Sequence, residues 1–334
     1  MTILAQNVPK SKTKPAKPTG VPLDALDIHL LREILQGSAA LPLDPNFRKS
    51  FRTIARKLRV DQDTVRYRMK RLEQMGFITD WRILLNPHIL RLRHWAIGVD
   101  VPTPTSKDDV IGKLKLMPDI FMIINYFGTL LGIVFASEAD RSPLDRAELI
   151  RRLSNASNAP CMEIFWPEYR TRLSATDWKI LRSLNPNPRK SCTSISQETG
   201  SSTRTVTRRL QRMVSEKGVF ALAVIDPKAL HGTVLASMNV GYSPRNGGEL
   251  NRKILEQFNE YIWYLFFTLP SEQDVQHTVF NFALPNISKA REILEWTRKQ
   301  PNILDLRIDL MEDHHILLQN LDHYIERDFR VASL

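Results

Sequence analysis

Thr64-Val65-Arg66-Tyr67-Arg68-Met69-Lys70-Arg71-Leu72 recurs further along the chain as Thr205-Val206-Thr207-Arg208-Arg209-Leu210-Gln211-Arg212-Met213. In the first copy Val65, Met69 and Leu72 fall at helical spacing, and in the second Val206, Leu210 and Met213 do. Each stretch therefore reads as an amphipathic helix whose outer face is basic. Upstream, Leu23-Asp24-Ala25-Leu26-Asp27 recurs as Leu173-Ser174-Ala175-Thr176-Asp177, and downstream Asn86-Pro87 recurs as Asp226-Pro227. A repeat this long is a duplicated domain pair rather than a solenoid unit of roughly 20–50 residues.

Working outward, Leu26, Leu30, Leu31, Ile34 and Leu35 stripe a helix before the first quoted one, and a loop with Gly37, Pro42 and Pro45 follows. Phe51, Ile54, Ala55 and Leu58 stripe a second, short helix. Asp61 is placed as the N-cap of the third, which runs from Gln62 to Met75 and stops at Gly76. Ile78 to Leu85 suits a wing strand. The second copy keeps this order, with Ile180 and Leu181, then Ile195, then the cap Ser202, and a wing strand from Phe220 to Ile225. Three short helices with a tight turn before a basic third one describe a winged helix-turn-helix.

The sequence after each helical block has a different period. Trp95, Ile97, Val99 and Val101 alternate as a strand, Val110, Ile111, Leu114 and Met117 as a helix, and Phe121–Tyr126 and 130–136 are strands. Leu144, Ala147, Ile150 and Leu153 give a second helix, and Cys161 to Trp166 a last strand. That order is βαββαβ, a ferredoxin-like sandwich. The C-terminal block repeats it through 234–240, 250–258, 262–267, 275–283 and 293–296 to a final strand in which Leu304, Leu306, Ile308 and Leu310 alternate with charges. The fold class is thus α+β, with two winged helix-turn-helix domains alternating with two ferredoxin-like domains. The expected boundaries are a basic disordered tail at 1–21, heads at 22–90 and 171–230, and αβ domains at 91–170 and 231–334.

The net charge of +11 is segregated. Lys and Arg minus Asp and Glu comes to +4 over 1–21, +5 over 22–92, −2 over 93–169, +8 over 170–230 and −4 over 231–334. Charge concentrated on particular blocks implies surfaces that face a polyanion. Two cysteines, Cys161 and Cys192, lie in different repeats and form no disulfide framework, which suits a reducing cytoplasm. No apolar run approaches the ~20 residues of a membrane span.

The expected partner is double-stranded DNA. With the apolar stripes buried, Asp63, Arg66, Tyr67 and Lys70 face outward on the first third helix, and Arg204, Thr207, Arg208 and Gln211 on the second. Arg and Gln make bidentate contacts with guanine and adenine edges. Arg68, Arg71, Arg209 and Arg212, with Arg48, Lys49, Arg52, Arg56 and Lys57 around the second helix, suit phosphate contacts, which position without reading sequence. No cofactor, metal site or nucleophile motif is expected. His314-His315 lacks partners at metal-ligand spacing and reads as surface.

Leu23-Asp24, Asp27, Leu31, Ile54-Ala55, Leu58, Thr64-Val65, Arg68, Arg71-Leu72, Gly76-Phe77-Ile78 and Asn86-Pro87 together resemble the Lrp/AsnC family of prokaryotic transcription regulators. The resemblance implies a DNA-reading head on a ferredoxin-like domain that dimerises and often senses amino acids. Two departures stand out. Arg59 occupies the place of the usual Gly, which Gly200 keeps in the second copy. The Gly-x-x-Asp-like turn of effector-binding members is incomplete at Gly128-Thr129-Leu130-Leu131 and at Leu269–Asp274, which weighs against an amino-acid effector. Because family members dimerise through their sheets, the duplicated chain is expected to act as a single-chain pseudo-dimer, with further self-association left open. One alternative is a sequence-nonspecific architectural DNA binder. Another is an enzyme, since some relatives of this architecture resemble decarboxylases of the alternative haem pathway. For that chemistry His94, His231 and His277 are the histidines to consider, and none sits in a motif.

Overall fold

A computed structural model describes residues 22–35, 47–156, 160–185, 187–271 and 273–333. The basic tail and the loop holding Gly37, Pro42 and Pro45 lie outside these residues. The first head comprises α1 (Ala25–Leu35), α2 (Phe51–Leu58) and α3 (Gln62–Gln74), followed by β1 (Ile78–Leu85). The first αβ unit is β2 (Leu92–Asp100), α4 (Lys107–Leu114), β3 (Ile120–Tyr126), β4 (Leu130–Glu138), α5 (Leu144–Ser154) and β5 (Cys161–Glu163). The second head is α6 (Ala175–Leu184), α7 (Cys192–Thr199) and α8 (Thr203–Ser215), followed by β6 (Val219–Ile225). The second unit is β7 (Val234–Tyr242), α9 (Pro244–Gln257), β8 (Ile262–Phe267), β9 (Gln276–Leu284), α10 (Ile287–Arg298) and β10 (Ile303–Ile316), and α11 (Leu318–Ser333) follows.

Both αβ units are ferredoxin-like. The strands run β5-β2-β4-β3 in one and β10-β7-β9-β8 in the other, the same order at matched places. The two halves join because β10 is long enough to serve both. Its first part, from Ile303 to Leu310, pairs with β7, and its second, from Met311 to Ile316, with β3. The chain beyond β5 does the reciprocal thing on a smaller scale. Ile164 bridges Thr268, and the Phe165 N–H donates to the Phe267 carbonyl at 2.8 Å just past β8. The two end strands, β5 and β8, are thus tied together by one bridge and its flanking bonds. Helices cover the outside over two apolar clusters, one around Ile97, Ile123, Leu131 and Ile150, the other around Met238, Ile254, Phe280 and Ile293.

The strands after the third helices form where the spacing places the wings, and their pairing is across the two heads. Neither folds back on its own head. Instead β1 and β6 pair antiparallel with each other, Trp81 opposite Ala223 and Ile83 opposite Ala221, as a two-stranded ribbon between the heads. The ends are stitched reciprocally, the Asn86 N–H donating to the Gly218 carbonyl at 2.9 Å and the Asp226 N–H to the Phe77 carbonyl at 2.8 Å. Buried Asn86 also donates to the carbonyls of Pro167 and Lys217, and what it shares with Asp226 is a side-chain oxygen that accepts the N–H two residues on, from His88 at 3.1 Å and Lys228 at 2.9 Å.

The turns show how the copies have diverged. Two positions per head are left-handed, one after the second helix and one after the third. Gly200 (φ 66°) and Gly76 (φ 81°) fill one in each copy, while Arg59 (φ 55°) and Lys217 (φ 61°) fill the other. A side chain in this conformation costs roughly 1–2 kcal/mol, partly offset by the freedom glycine loses on folding. Arg59→Gly and Lys217→Gly should each stabilise the protein by about 0.5–1 kcal/mol, read as a higher urea midpoint. A lower midpoint for both would show that these turns are held by side-chain contacts instead.

Helix α11 breaks the two-fold pattern. It leaves the sheet at Leu317 and Asn320, whose side-chain amide donates to the carbonyls of Met117 and Ile120. It then docks on α6 through Ile325, a bond from Asn185 to Asp322 at 2.5 Å and an Arg182–Glu326 ion pair at 2.8 Å. In the first head α1 meets β8 directly, with Arg32 donating to the carbonyl of Asn259 just before that strand.

Candidate nucleic-acid interface

Each third helix is fixed by a buried carboxylate. Asp27 and Asp177 have no exposed surface and sit at the start of α1 and α6. Asp177 closes a capping box with Ser174 and accepts from Arg209 at 3.1 Å and Arg212 at 3.0 Å. Asp27 and Asp24 exchange backbone bonds in the same way, at 3.1 and 3.0 Å, and Asp27 takes Arg68 at 3.3 Å and also Arg71. Burial opposes the charge on Asp177, but the Ser174 donors and Arg209 outweigh it and hold the carboxyl below its ordinary value.

This corrects the reading of four arginines. Arg68, Arg71, Arg209 and Arg212 were expected on phosphate, yet they turn inward to these carboxylates and clamp the third helix to the first. Two residues near α2 are corrected as well. The Lys49 ammonium is buried and paired with Glu33 at 2.9 Å. Arg48 reaches into the other head, donating to the carbonyls of Pro188 at 2.7 Å and Lys190 at 2.8 Å. Lys57 is half exposed with one bond to Glu33, while Arg52 and Arg56 remain exposed.

The Arg48 contact has a mirror image that sequence reasoning missed. Arg189, at the position matching Arg48, donates to the carbonyls of Phe47 at 2.6 Å and Lys49 at 2.8 Å, and its guanidinium lies 4.6 Å from the Phe51 ring centre. The heads are thus clasped by a reciprocal pair of arginines on backbone carbonyls. The offset that aligns the third helices would have paired Arg48 with Arg189, which was the available signal.

The outward faces are as the spacing predicts. Asp63, Arg66, Tyr67 and Lys70 of α3 and Arg204, Thr207, Arg208 and Gln211 of α8 are all exposed. Among the described residues Arg66 meets only Asp63, at 3.2 Å on the surface, a pair worth a fraction of a kcal/mol and easily exchanged for another acceptor. Helix α8 is capped by Ser202, which accepts from the Thr205 N–H at 3.1 Å. Asp61 holds the equivalent place with extended backbone but makes no side-chain cap bond.

The histidines are also placed differently from expectation. His314 and His315 are half-buried in the joining part of β10, opposite Ile124 and Ile123 of β3. Burial drives His94 down to about 3 and His314 to about 4, so both are neutral at neutral pH. A depressed histidine binds its proton in the unfolded chain first, so its contribution to stability falls as pH drops below about 6.5. Between pH 7 and pH 5 the chemical-denaturation midpoint should fall by an amount worth roughly 2 kcal/mol for His94 alone, and His94→Phe should flatten that dependence. Among the described residues no group of His, Cys, Asp or Glu could hold a metal ion, and no helix is long and apolar enough to cross a membrane.

Residues 23–79 match the winged helix-turn-helix DNA-binding domain, and residues 173–214 match the AsnC-type helix-turn-helix domain. Over 137 residues the chain is 34% identical to the HTH-type transcriptional regulator Ptr1 of Methanocaldococcus jannaschii, covering 40% of this chain and 86% of that protein. The chain belongs to the Lrp/AsnC family of transcription regulators. Crystal structures of the siroheme decarboxylase NirDL, one of them with an iron-uroporphyrin III analogue, resemble it over 92% of its length with TM-scores of 0.55 and 0.53. They cover 100% and 99% of those chains at 11% identity, a likeness of fold.

Proposed function

We propose that the chain is a sequence-specific DNA-binding transcription regulator that works as a single-chain pseudo-dimer. The observation that carries this reading is the pair of third helices, each with its inner arginines occupied and four polar side chains exposed at matched positions. In this reading α3 and α8 enter major grooves and read base edges, while Arg52, Arg56 and Lys57 contact phosphates. Every matched outward pair differs: Asp63 and Arg204, Arg66 and Thr207, Tyr67 and Arg208, Lys70 and Gln211. The preferred site is therefore two unequal halves rather than a palindrome. The shared eight-stranded sheet, the ribbon and the Arg48–Arg189 clasp support a fixed arrangement of the heads.

Linking two heads raises apparent affinity through effective concentration, provided the geometry lets both engage. If the clasp sets that geometry, Arg48→Ala with Arg189→Ala should leave both heads folded but let the protein accept half-sites whose spacing differs by a base pair or two. Unchanged spacing preference would move that role to the ribbon. The experiment that tests the function compares affinity for a selected duplex with affinity for a scrambled one at fixed salt. A ratio of at least ~10³ fits a regulator and a ratio near one an architectural binder. The fold likeness to NirDL motivates a second reading as a tetrapyrrole decarboxylase. An absorption shift of iron uroporphyrin on mixing with the protein, together with no duplex preference, would favour it.

A further inference from the structure

The two heads differ most on the helix that precedes each third helix. Arg52, Arg56, Lys57 and Arg59 stand exposed along α2 and its C-cap. The matched places of the second head hold Thr193, Gln197, Glu198 and Gly200, all exposed as well. The balance is four positive charges against one negative. Among the described residues the side chains of Arg52, Arg56 and Arg59 make no ion pair or hydrogen bond. Glu198, the one charge on α7, is taken up by Ser183 at 2.6 Å and Lys190 at 2.9 Å. The sequence count points the other way, +8 over 170–230 against +5 over 22–92. The fold absorbs much of that surplus internally: Arg209 and Arg212 serve Asp177, Arg189 serves the clasp, Arg182 pairs with Glu326, and Lys228 meets Asp313. On α8, Arg204 and Arg208 are left in solvent.

We propose that the heads divide the work on DNA: the first carries the phosphate grip for both, through α2, and the second engages through base edges alone. In a helix-turn-helix the helix ahead of the reading helix crosses the sugar-phosphate backbone, while the reading helix enters the groove. Each cation placed on a phosphate releases counterions and adds about 0.9 to the slope of log affinity against log salt, whatever the sequence. Helix α2 and its cap offer up to four such contacts and α7 offers none. Arg204 and Arg208 lie instead on the face that meets base edges, where contacts carry sequence information. On DNA of arbitrary sequence the second head therefore adds little, and the complex is anchored by the first. On the preferred site α3 still reads its own half, and α8 adds the other half without a grip of its own. The inference rests on the DNA-binding reading, but not on its sequence specificity.

The test measures binding of the full chain to the selected duplex and to its scrambled counterpart, by fluorescence anisotropy between about 50 and 200 mM salt. In the triple variant Arg52→Gln, Arg56→Gln and Arg59→Gly the slope should fall by about two to three on both duplexes. Scrambled binding at the low-salt end should weaken at least ~10-fold, with the ratio between the duplexes kept to within about threefold. In the double variant Arg204→Ala and Arg208→Ala the selected duplex should bind at least ~10-fold more weakly, while the scrambled slope changes by less than about one. All five positions are exposed, and tryptophan emission checks that each variant is folded. The double variant decides the matter if the triple one fails to fold. An unchanged scrambled slope in the folded triple variant, or a fall of about two in the double variant, would overturn the proposal. Equal affinity of the wild type for the two duplexes would instead remove the sequence-specific reading and leave the slopes to identify the anchor. A wild type that bound neither duplex would end both.

Discussion

Asp177→Ala should destabilise the second head by about 3–5 kcal/mol, enough to unfold it ahead of the rest of the chain. The side chain is fully buried and serves three functions at once. It completes the capping box of α6, it accepts from Arg209, and it accepts from Arg212. Losing the cap alone costs about 1 kcal/mol, and the larger part comes from two guanidinium groups left without a counter-charge in a partly buried place. Asp177→Asn keeps the shape and some of the bonds, so it should fall between wild type and Ala. The pH dependence has a defined sign. With its folded pKa below the ordinary 3.8, Asp177 stabilises the fold above about pH 4 and loses that contribution as pH falls further. Urea titration followed by tryptophan emission would measure the loss, since Trp178 lies in this head's core. A cost under 1 kcal/mol would mean that the arginines find other acceptors.

The same geometry changes what an arginine substitution should do. Arg71 and Arg212 behave as structural residues, so replacing either with Ala should lower stability and leave the salt slope of DNA binding unchanged in whatever protein remains folded. Arg66→Ala and Arg204→Ala should leave stability unchanged to within ~0.5 kcal/mol, because both side chains stand in solvent. Their effect should appear on DNA instead. Each is expected to cost about 1–3 kcal/mol on the selected duplex, roughly fivefold to a hundredfold in affinity, and to relax base preference in one half-site only. Binding of each variant to duplexes permuted one base at a time would show this. If Arg204→Ala altered nothing, α8 would hold the second head in place without reading bases.

Much of this molecule was legible because amphipathic periods are local. Val65, Met69 and Leu72 turn inward and Arg66, Tyr67 and Lys70 outward, as a period of 3.6 requires. The βαββαβ order followed from alternation in short strands. What escaped depends on partners distant in the chain. Basic residues at matched positions look alike in sequence, and only the buried Asp27 and Asp177 separate the clamping Arg68 and Arg209 from the exposed Arg66 and Arg208. Strand β10 was read to Leu310 because the polar run Glu312-Asp313-His314-His315 has no alternation, yet that run joins the two halves against β3. The two wing strands were legible, but not that β1 and β6 pair with each other, since a strand does not announce which strand it will pair with. The helix α11 was not foreseen, because its contacts lie with α6 and the sheet rather than within its own stretch.

The most direct test of the pseudo-dimer reading is selection of bound duplexes from a random pool at about 150 mM salt, where nonspecific phosphate contacts are already weakened. The expected product is one motif with two unequal halves about one helical turn apart, and Arg66→Ala and Arg204→Ala should each blur a different half. A symmetric palindrome, a single half-site, or duplexes with no shared motif would contradict the account of one chain reading DNA with two different heads.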